Sequence, residues 1–401
     1  MSEKWQAATR AVRAAIESDS ATGAVVPPIH LSSTFAFRSF GEKGPYDYTR
    51  SGNPTRDALG DALAALEGGA GAIVTSSGMA AITAVCHLLE PGELMIAPHD
   101  CYGGTYRLFS ALARKQHFNV EFIDQTDAEA LRSACVRKPG IIWVETPSNP
   151  LLRIVDIRAA ARLAQTHKAI LVVDNTFLSP AWQQPIGLGA DLVVHSTTKY
   201  LNGHSDVVGG AVIARTSELH ERLVWWANCL GLTGAPFDSF LTLRGLRTLQ
   251  ARLAVHEQNA RSLVDLLLAS PVVSCVHYPG IATHPGHSVA TAQQSGYGAM
   301  VSFELKGGAE AVGPFLTGLQ CFSLAESLGG VESLIAHPAS MTHAAMDPEA
   351  RRVAGISDAL LRISVGIEAA QDLRADITAG LARVASLALS ATPGGRARAA
   401  C

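Results

Sequence analysis

Along the first 250 residues, short apolar runs alternate with longer amphipathic stretches. The runs at 141–145, 169–174 and 191–195 carry branched or aromatic side chains without a polar break, as strands buried on both faces do. They finish on Glu145, Asp174 and His195. Between such runs, apolar residues recur at helical spacing. Leu59, Leu63 and Leu66 mark a helix over 56–67, and the glycines at 68, 69 and 71 stop it. A strand over 72–77 then passes through a Ser/Gly turn into a helix over 80–89. The rhythm continues with a strand at 93–97, a helix at 104–114, a strand at 120–123, and helices at 128–136 and 156–167. Strands alternating with helices predict an α/β protein whose large domain is built on a mostly parallel sheet.

Residues 1–60 break this rhythm, with prolines at 27, 28, 45 and 54 and few periodic runs. A stretch this long without regular structure is commonly functional or wrapped on a partner. After residue 215 come an apolar segment at 223–230 and a helical stretch from 240 that extends toward 268. Short strands such as 300–305 and 361–365, set between helices, predict a smaller C-terminal α/β domain. The division read from the sequence is an arm at 1–60, a large domain at 61–250, a small domain at 251–387 and a frayed tail at 388–401.

Composition narrows the class. The chain has 401 residues, 48% hydrophobic and 17% charged, which is a globular balance. Net charge is −3, so nucleic acid is an unsuited partner. No apolar run approaches the roughly 18 residues that span a bilayer. The N-terminus lacks the continuous apolar core of a secretory signal. Seven scattered cysteines, with no C-x-x-C spacing, fit a reducing cytoplasm. Fourteen histidines occur without a metal-ligand motif, and no metal is expected.

The chemistry collects where apolar runs end. Lys199 follows the run at 191–195 behind Ser196, Thr197 and Thr198. Hydroxyls that hold a phosphate, beside a partly desolvated amine, make sense of that placement. Asp174 closes the run before it, and ligands of open α/β sheets bind beyond the carboxyl ends of the strands. A lysine that forms a Schiff base and an aspartate that keeps a pyridine nitrogen protonated are the minimum equipment for pyridoxal phosphate. The turn at Ser77, Gly78 and Met79 offers backbone N–H groups to an anion, or is an ordinary turn between strand and helix. It is neither a dinucleotide fingerprint nor a Walker loop. Tyr102, ahead of two glycines, is suited to lie flat on a ring. Asn149 offers a neutral hydrogen-bonding group. Arg362 sits in an apolar strand, where it answers either a substrate carboxylate or an internal acid. Tyr48 and Arg50 are equipped to grip a phosphate, in a segment that also reads as a surface turn.

These motifs together resemble the cysteine- and methionine-metabolism family of pyridoxal-phosphate enzymes. The resemblance covers roughly residues 8–385. It includes VVPPIHLSST (25–34), YTRSGNPTRD (48–57), SSGMAA (76–81), CYGGTYRLF (101–109), ETPSNP (145–150), VVDNTFLSP (172–180), HSTTKYLNGHSD (195–206), AESLGGVESL (325–334) and LRISVGIE (361–368). It implies the fold type I architecture of pyridoxal-phosphate transferases, the aspartate aminotransferase-like arrangement. Pyridoxal 5'-phosphate is the implied cofactor, with Lys199 as its Schiff-base lysine and proton carrier, Asp174 at the ring nitrogen and Tyr102 stacked on the ring. Gly78, Met79, Ser196 and Thr198 would cradle the phosphate, joined by Tyr48 and Arg50 from a neighbouring subunit. Arg362, Ser327 and Asn149 would hold a substrate α-carboxylate, with Arg107 and Glu326 toward its distal end. The implied assembly is a homotetramer made of two dimers, with active sites shared between subunits. The implied reaction is γ-replacement that joins an O-acylhomoserine to cysteine to give cystathionine, the succinyl and acetyl esters both being donors to consider. The reverse-direction alternative is a γ-lyase that releases cysteine, 2-oxobutyrate and ammonia. Ser51 stands where some succinyl-ester enzymes of the family carry a second arginine, which favours the acetyl ester or the lyase, whereas Asp47 fits the γ-synthase pattern.

Overall fold

A computed structural model describes residues 5–390, apart from 345 and 347. Seven strands, β1 (Gly71–Thr75), β2 (Leu94–Pro98), β3 (Asn119–Ile123), β4 (Ile141–Glu145), β5 (Ile170–Asp174), β6 (Leu192–His195) and β7 (Gly210–Ala214), form one sheet. Their order is β1-β7-β6-β5-β4-β2-β3. Neighbouring pairs from β6 to β3 run parallel, and β7 alone lies antiparallel, between β1 and β6. The carboxyl ends of β1, β2, β4, β5 and β6 therefore share one edge. Helices cover both faces, so every residue of β4, β6 and β7 is buried. The polar residues that close these strands emerge together at that edge.

The helices begin where capping chemistry allows. Asn53 accepts from the N–H groups of Thr55 and Arg56 ahead of Pro54–Glu67, and Ser77 Oγ accepts from Ala80 N at 3.1 Å ahead of Gly78–Cys86. Asp127 and Asp156 cap Ala128–Cys135 and Ile157–His167 in the same way.

A second sheet is built from β8 (Val273–His277), β9 (Met300–Leu305), β10 (Ser323–Leu324), β11 (Leu334–Ala336) and β12 (Leu360–Ser364), ordered β10-β11-β12-β9-β8. Only β10 and β11 pair in parallel. One hydrophobic cluster runs from Leu59 and Leu63, through Tyr200 and Leu253, to Phe303 and Ile363. It fastens the second sheet against the first and brings β12 up to the carboxyl edge.

Residues 210–214, given no element in the sequence analysis, form a strand inserted antiparallel between β1 and β6. Two readings of the sequence change. The arm is not wholly irregular, because Ala7–Val12 is helical and buries Ala11. The helical stretch from 240 to 268 is two helices, Pro236–Leu246 and Leu249–Leu268. They part because the Gly245 carbonyl is taken by Thr248 Oγ1 at 3.1 Å and Arg252 Nη2 at 2.9 Å. The tail read at 388–401 lies beyond residue 390 for all but its first three positions, outside the described residues. Among the described residues, no helix is long and apolar enough to cross a membrane.

Candidate active site

The carboxyl edge of the large sheet and the near side of the second sheet enclose a cavity of about 340 Å³. The first sheet supplies Gly78 and Met79 after β1, Tyr102 after β2, Asn149 after β4, Asp174 at the end of β5, and Ser196, Thr198 and Lys199 after β6. The second sheet supplies Glu326 and Ser327 after β10 and Arg362 from β12. Residues separated by up to 284 positions thus face one space.

Lys199 Nζ donates to Ser327 Oγ at 2.7 Å. Burial, and then the charge of Arg362, bring the amine down to about 8. Arg362 is 3% exposed and is itself lowered by burial to about 10. Its Nη1 donates to Asn149 Oδ1 at 2.7 Å and its Nη2 to the Ser327 carbonyl at 2.9 Å. Neither acceptor is ionised, and Nε has no partner. Among the described residues no carboxylate hydrogen-bonds this guanidinium, so of the two readings left open by the sequence, an internal salt bridge is not found there. A buried guanidinium with an unused donor beside a cavity is equipped to receive an anion.

Asp174 accepts from Thr176 N at 3.0 Å, and its carboxyl is raised by burial. Beside it in the β4–β5 register stands Glu145, which burial and then the Asp174 charge raise well above the usual carboxylate range. The amino end of the helix Gly78–Cys86 and the hydroxyls of Ser196 and Thr198 line the same cavity. Thr198 Oγ1 also binds Gly209 through both its N–H and its carbonyl, which fixes the hydroxyl in place. Tyr102 is 41% exposed, and its ring packs so tightly over Gly104 that an added Cβ would meet ring carbon at 2.6 Å.

Three residues named from the sequence stand away from this cavity. Arg107 is exposed on the helix Gly103–Arg114. Arg50 and Tyr48 are exposed on the arm, with the guanidinium 5.4 Å from the tyrosine ring centroid. Arg50 Nε donates to Asn228 Oδ1 at 3.0 Å. Conversely, Glu145, Thr176 and Thr342 line the cavity without being among the site residues the sequence points to. Glu145 had a signal, since it closes a buried strand as Asp174 does. Thr342 lies in a loop with no pattern to mark it.

The donor set fits pyridoxal phosphate. Hydroxyls and helix N–H groups suit a phosphate, an acid suits a protonated ring nitrogen, and a lysine of lowered pKa suits an aldehyde carbon. Fold and site thus define an α/β enzyme of the pyridoxal-phosphate class. The chain belongs to the Cys/Met metabolism PLP-dependent enzyme family, whose model matches residues 8–382. It is 56% identical over 374 residues to cystathionine gamma-synthase of Escherichia coli (strain K12), covering 93% of this chain and 97% of that one. It is 45% identical to cystathionine gamma-lyase of Dictyostelium discoideum, covering 94% of this chain and 98% of that one. The crystal structure of cystathionine gamma synthase from Xanthomonas oryzae pv. oryzae in complex with cystathionine superposes with a TM-score of 0.94 at 62% identity, covering 95% of this chain and 99% of that one.

Proposed function

We propose that this enzyme carries out γ-replacement, forming L-cystathionine from an O-acylhomoserine and L-cysteine. The observation that carries the reading is the bridge from Lys199 to Ser327 to Arg362, a low-pKa amine set beside an anion-seeking guanidinium in one cavity. An α-amino acid presents both matching groups on one carbon. Pyridoxal phosphate, when bound, supplies an electron sink that acidifies the substrate's Cα and Cβ protons.

The chain's own residues do the rest. Arg362, with Asn149 and Ser327, binds the α-carboxylate and sets the Cα–H bond toward Lys199. The neutral Lys199 amine takes that proton and returns one at the end of the turnover. Asp174 would stabilise a protonated ring nitrogen, and Tyr102 would cover the ring. Gly78, Met79, Ser196 and Thr198 would bind the phosphate. In the net reaction the Cγ–O bond breaks, the acyl carboxylate leaves with the electron pair, and the cysteine thiolate forms the Cγ–S bond.

Tyr48 and Arg50, exposed on the arm, act at the phosphate of a neighbouring subunit, and the enzyme works as a homotetramer of two dimers in the cytoplasm. Arg107 and Glu326 act on the distal part of the substrate. The arm, large domain and small domain divide at residues 60 and 250. Similarity to the Dictyostelium lyase and the serine at position 51 favour a second reading, the γ-lyase.

One assay separates the two. Purified enzyme is incubated with O-succinylhomoserine, O-acetylhomoserine or cystathionine, each with and without cysteine, and cystathionine, 2-oxobutyrate and pyruvate are followed. Cystathionine made from an ester and cysteine, with little breakdown of cystathionine itself, is the expected result and names the acyl donor. Rapid release of 2-oxobutyrate from cystathionine would replace the proposal with the lyase.

A further inference from the structure

Glu145 has no part in the chemistry above, yet it is hydrogen-bonded to two residues that have one. It closes β4 next to Asp174, is 5% exposed and lines the cavity. One carboxyl oxygen accepts from Tyr102 N at 2.9 Å, and the other accepts from Asn149 N at 3.2 Å. Tyr102 carries the ring at the cavity mouth and opens the helix Gly103–Arg114 without a side-chain cap of its own. Asn149 carries the amide that receives Arg362. A single side chain thus ties the residue proposed to cover the cofactor to the clamp proposed to hold the α-carboxylate.

The choice of residue is costly in itself. Two buried carboxyl groups at adjacent strand ends repel, and each loses hydration. An amide would avoid both penalties, but it has one acceptor oxygen and would turn an NH2 group toward the second N–H. Only a carboxyl group accepts from both donors at once. An apolar residue would leave two backbone N–H groups unpaired beside the cavity.

We infer that Glu145 is a positioning residue that sets Tyr102 and Asn149 relative to each other, so that ring and α-carboxylate are held in one register. The inference rests on the reading of this cavity as the cofactor and amino-acid site.

The test compares wild-type holoenzyme with Glu145→Gln. Two unreactive amines report through the visible absorption of the bound cofactor: L-norvaline, which carries an α-carboxylate, and butylamine, its counterpart without one. For the variant, norvaline binding is expected to weaken by about tenfold with butylamine binding unchanged, the loss of one hydrogen bond's worth of alignment. The visible circular dichroism of the bound cofactor is expected to change as Tyr102 shifts. Equal loss for both amines, or unchanged norvaline binding and dichroism, would overturn the inference. Glu145→Asp keeps the carboxyl group but shortens the reach, carries the same expectation, and is the variant read if the amide form does not accumulate. Failure of the underlying site reading has its own signature, because wild-type enzyme would then give no spectral response to norvaline.

Discussion

Lys199 shows what burial does to one group. An ordinary lysine is neutral in only a few molecules per ten thousand at pH 7, whereas an amine lowered to about 8 is neutral in roughly one of ten. That gain in free amine is a gain in nucleophile and base, and it has a thermodynamic counterpart. The folded value lies below the 10.5 of an ordinary lysine, so between the two the unfolded chain binds more protons. Stability of the cofactor-free protein therefore rises as pH climbs through that window, and below it the folded state carries the full penalty of a desolvated charge. For protein stripped of cofactor, Lys199→Met is expected to raise Tm near neutrality, and the gain is expected to shrink from about pH 8 upward. Thermal unfolding at several pH values checks this. A Tm difference that stays constant with pH would mean that the amine is not held below its ordinary value.

At the scale of elements, the carboxyl edge is set by strand order, and much of it was legible. The strands ending on Glu145, Asp174 and His195 were visible as apolar runs, and the helix read at 156–167 implied that the first two run parallel. The antiparallel β7 was not visible, because five apolar residues read the same in either direction. Its first residue shapes the end of the cavity proposed to bind the phosphate. A Cβ added to Gly210 would lie 2.2 Å from the Ser77 carbonyl oxygen, and Ser77 caps the helix that opens at Gly78. Backbone of this kind moves only as a unit. Gly210→Ala is expected to weaken cofactor binding by about tenfold through displacement of that helix start, at a cost typical of overpacking. Equilibrium dialysis against pyridoxal phosphate measures it. Retention at wild-type affinity would show that the turn has slack.

For the whole molecule, the arm is the telling feature. Leu31 is 70% exposed, and Phe37 and Phe40 are also open to solvent, an apolar surface more suited to a partner than to water. Arg50 does not line the cavity of its own chain that holds Lys199. If two copies complete each other's sites, two dead variants can rescue one another. Co-expressed Arg50→Ala and Lys199→Ala chains are expected to recover about a quarter of wild-type activity, because half of a random set of dimers is mixed and each mixed dimer holds one intact site. Activity no higher than the sum of the separate variants would confine each site to one chain.

The sequence by itself determined which chemistry is present. Lys199, Asp174, Tyr102 and the Ser/Gly turn all sit next to patterned elements, and pattern is a local property of the chain. The tertiary structure decided what each polar group faces. Arg362 in an apolar strand reads as a salt bridge or an anion site until β12 is docked against the large sheet and its partners prove to be an amide and a carbonyl. Glu145 reads as one more strand end until the backbone N–H of Tyr102, 43 residues earlier, meets it together with that of Asn149 in the loop that follows. Periodicity records burial. Hydrogen-bond partners from loops more than a hundred residues apart leave no periodic trace, and only packing brings them within reach.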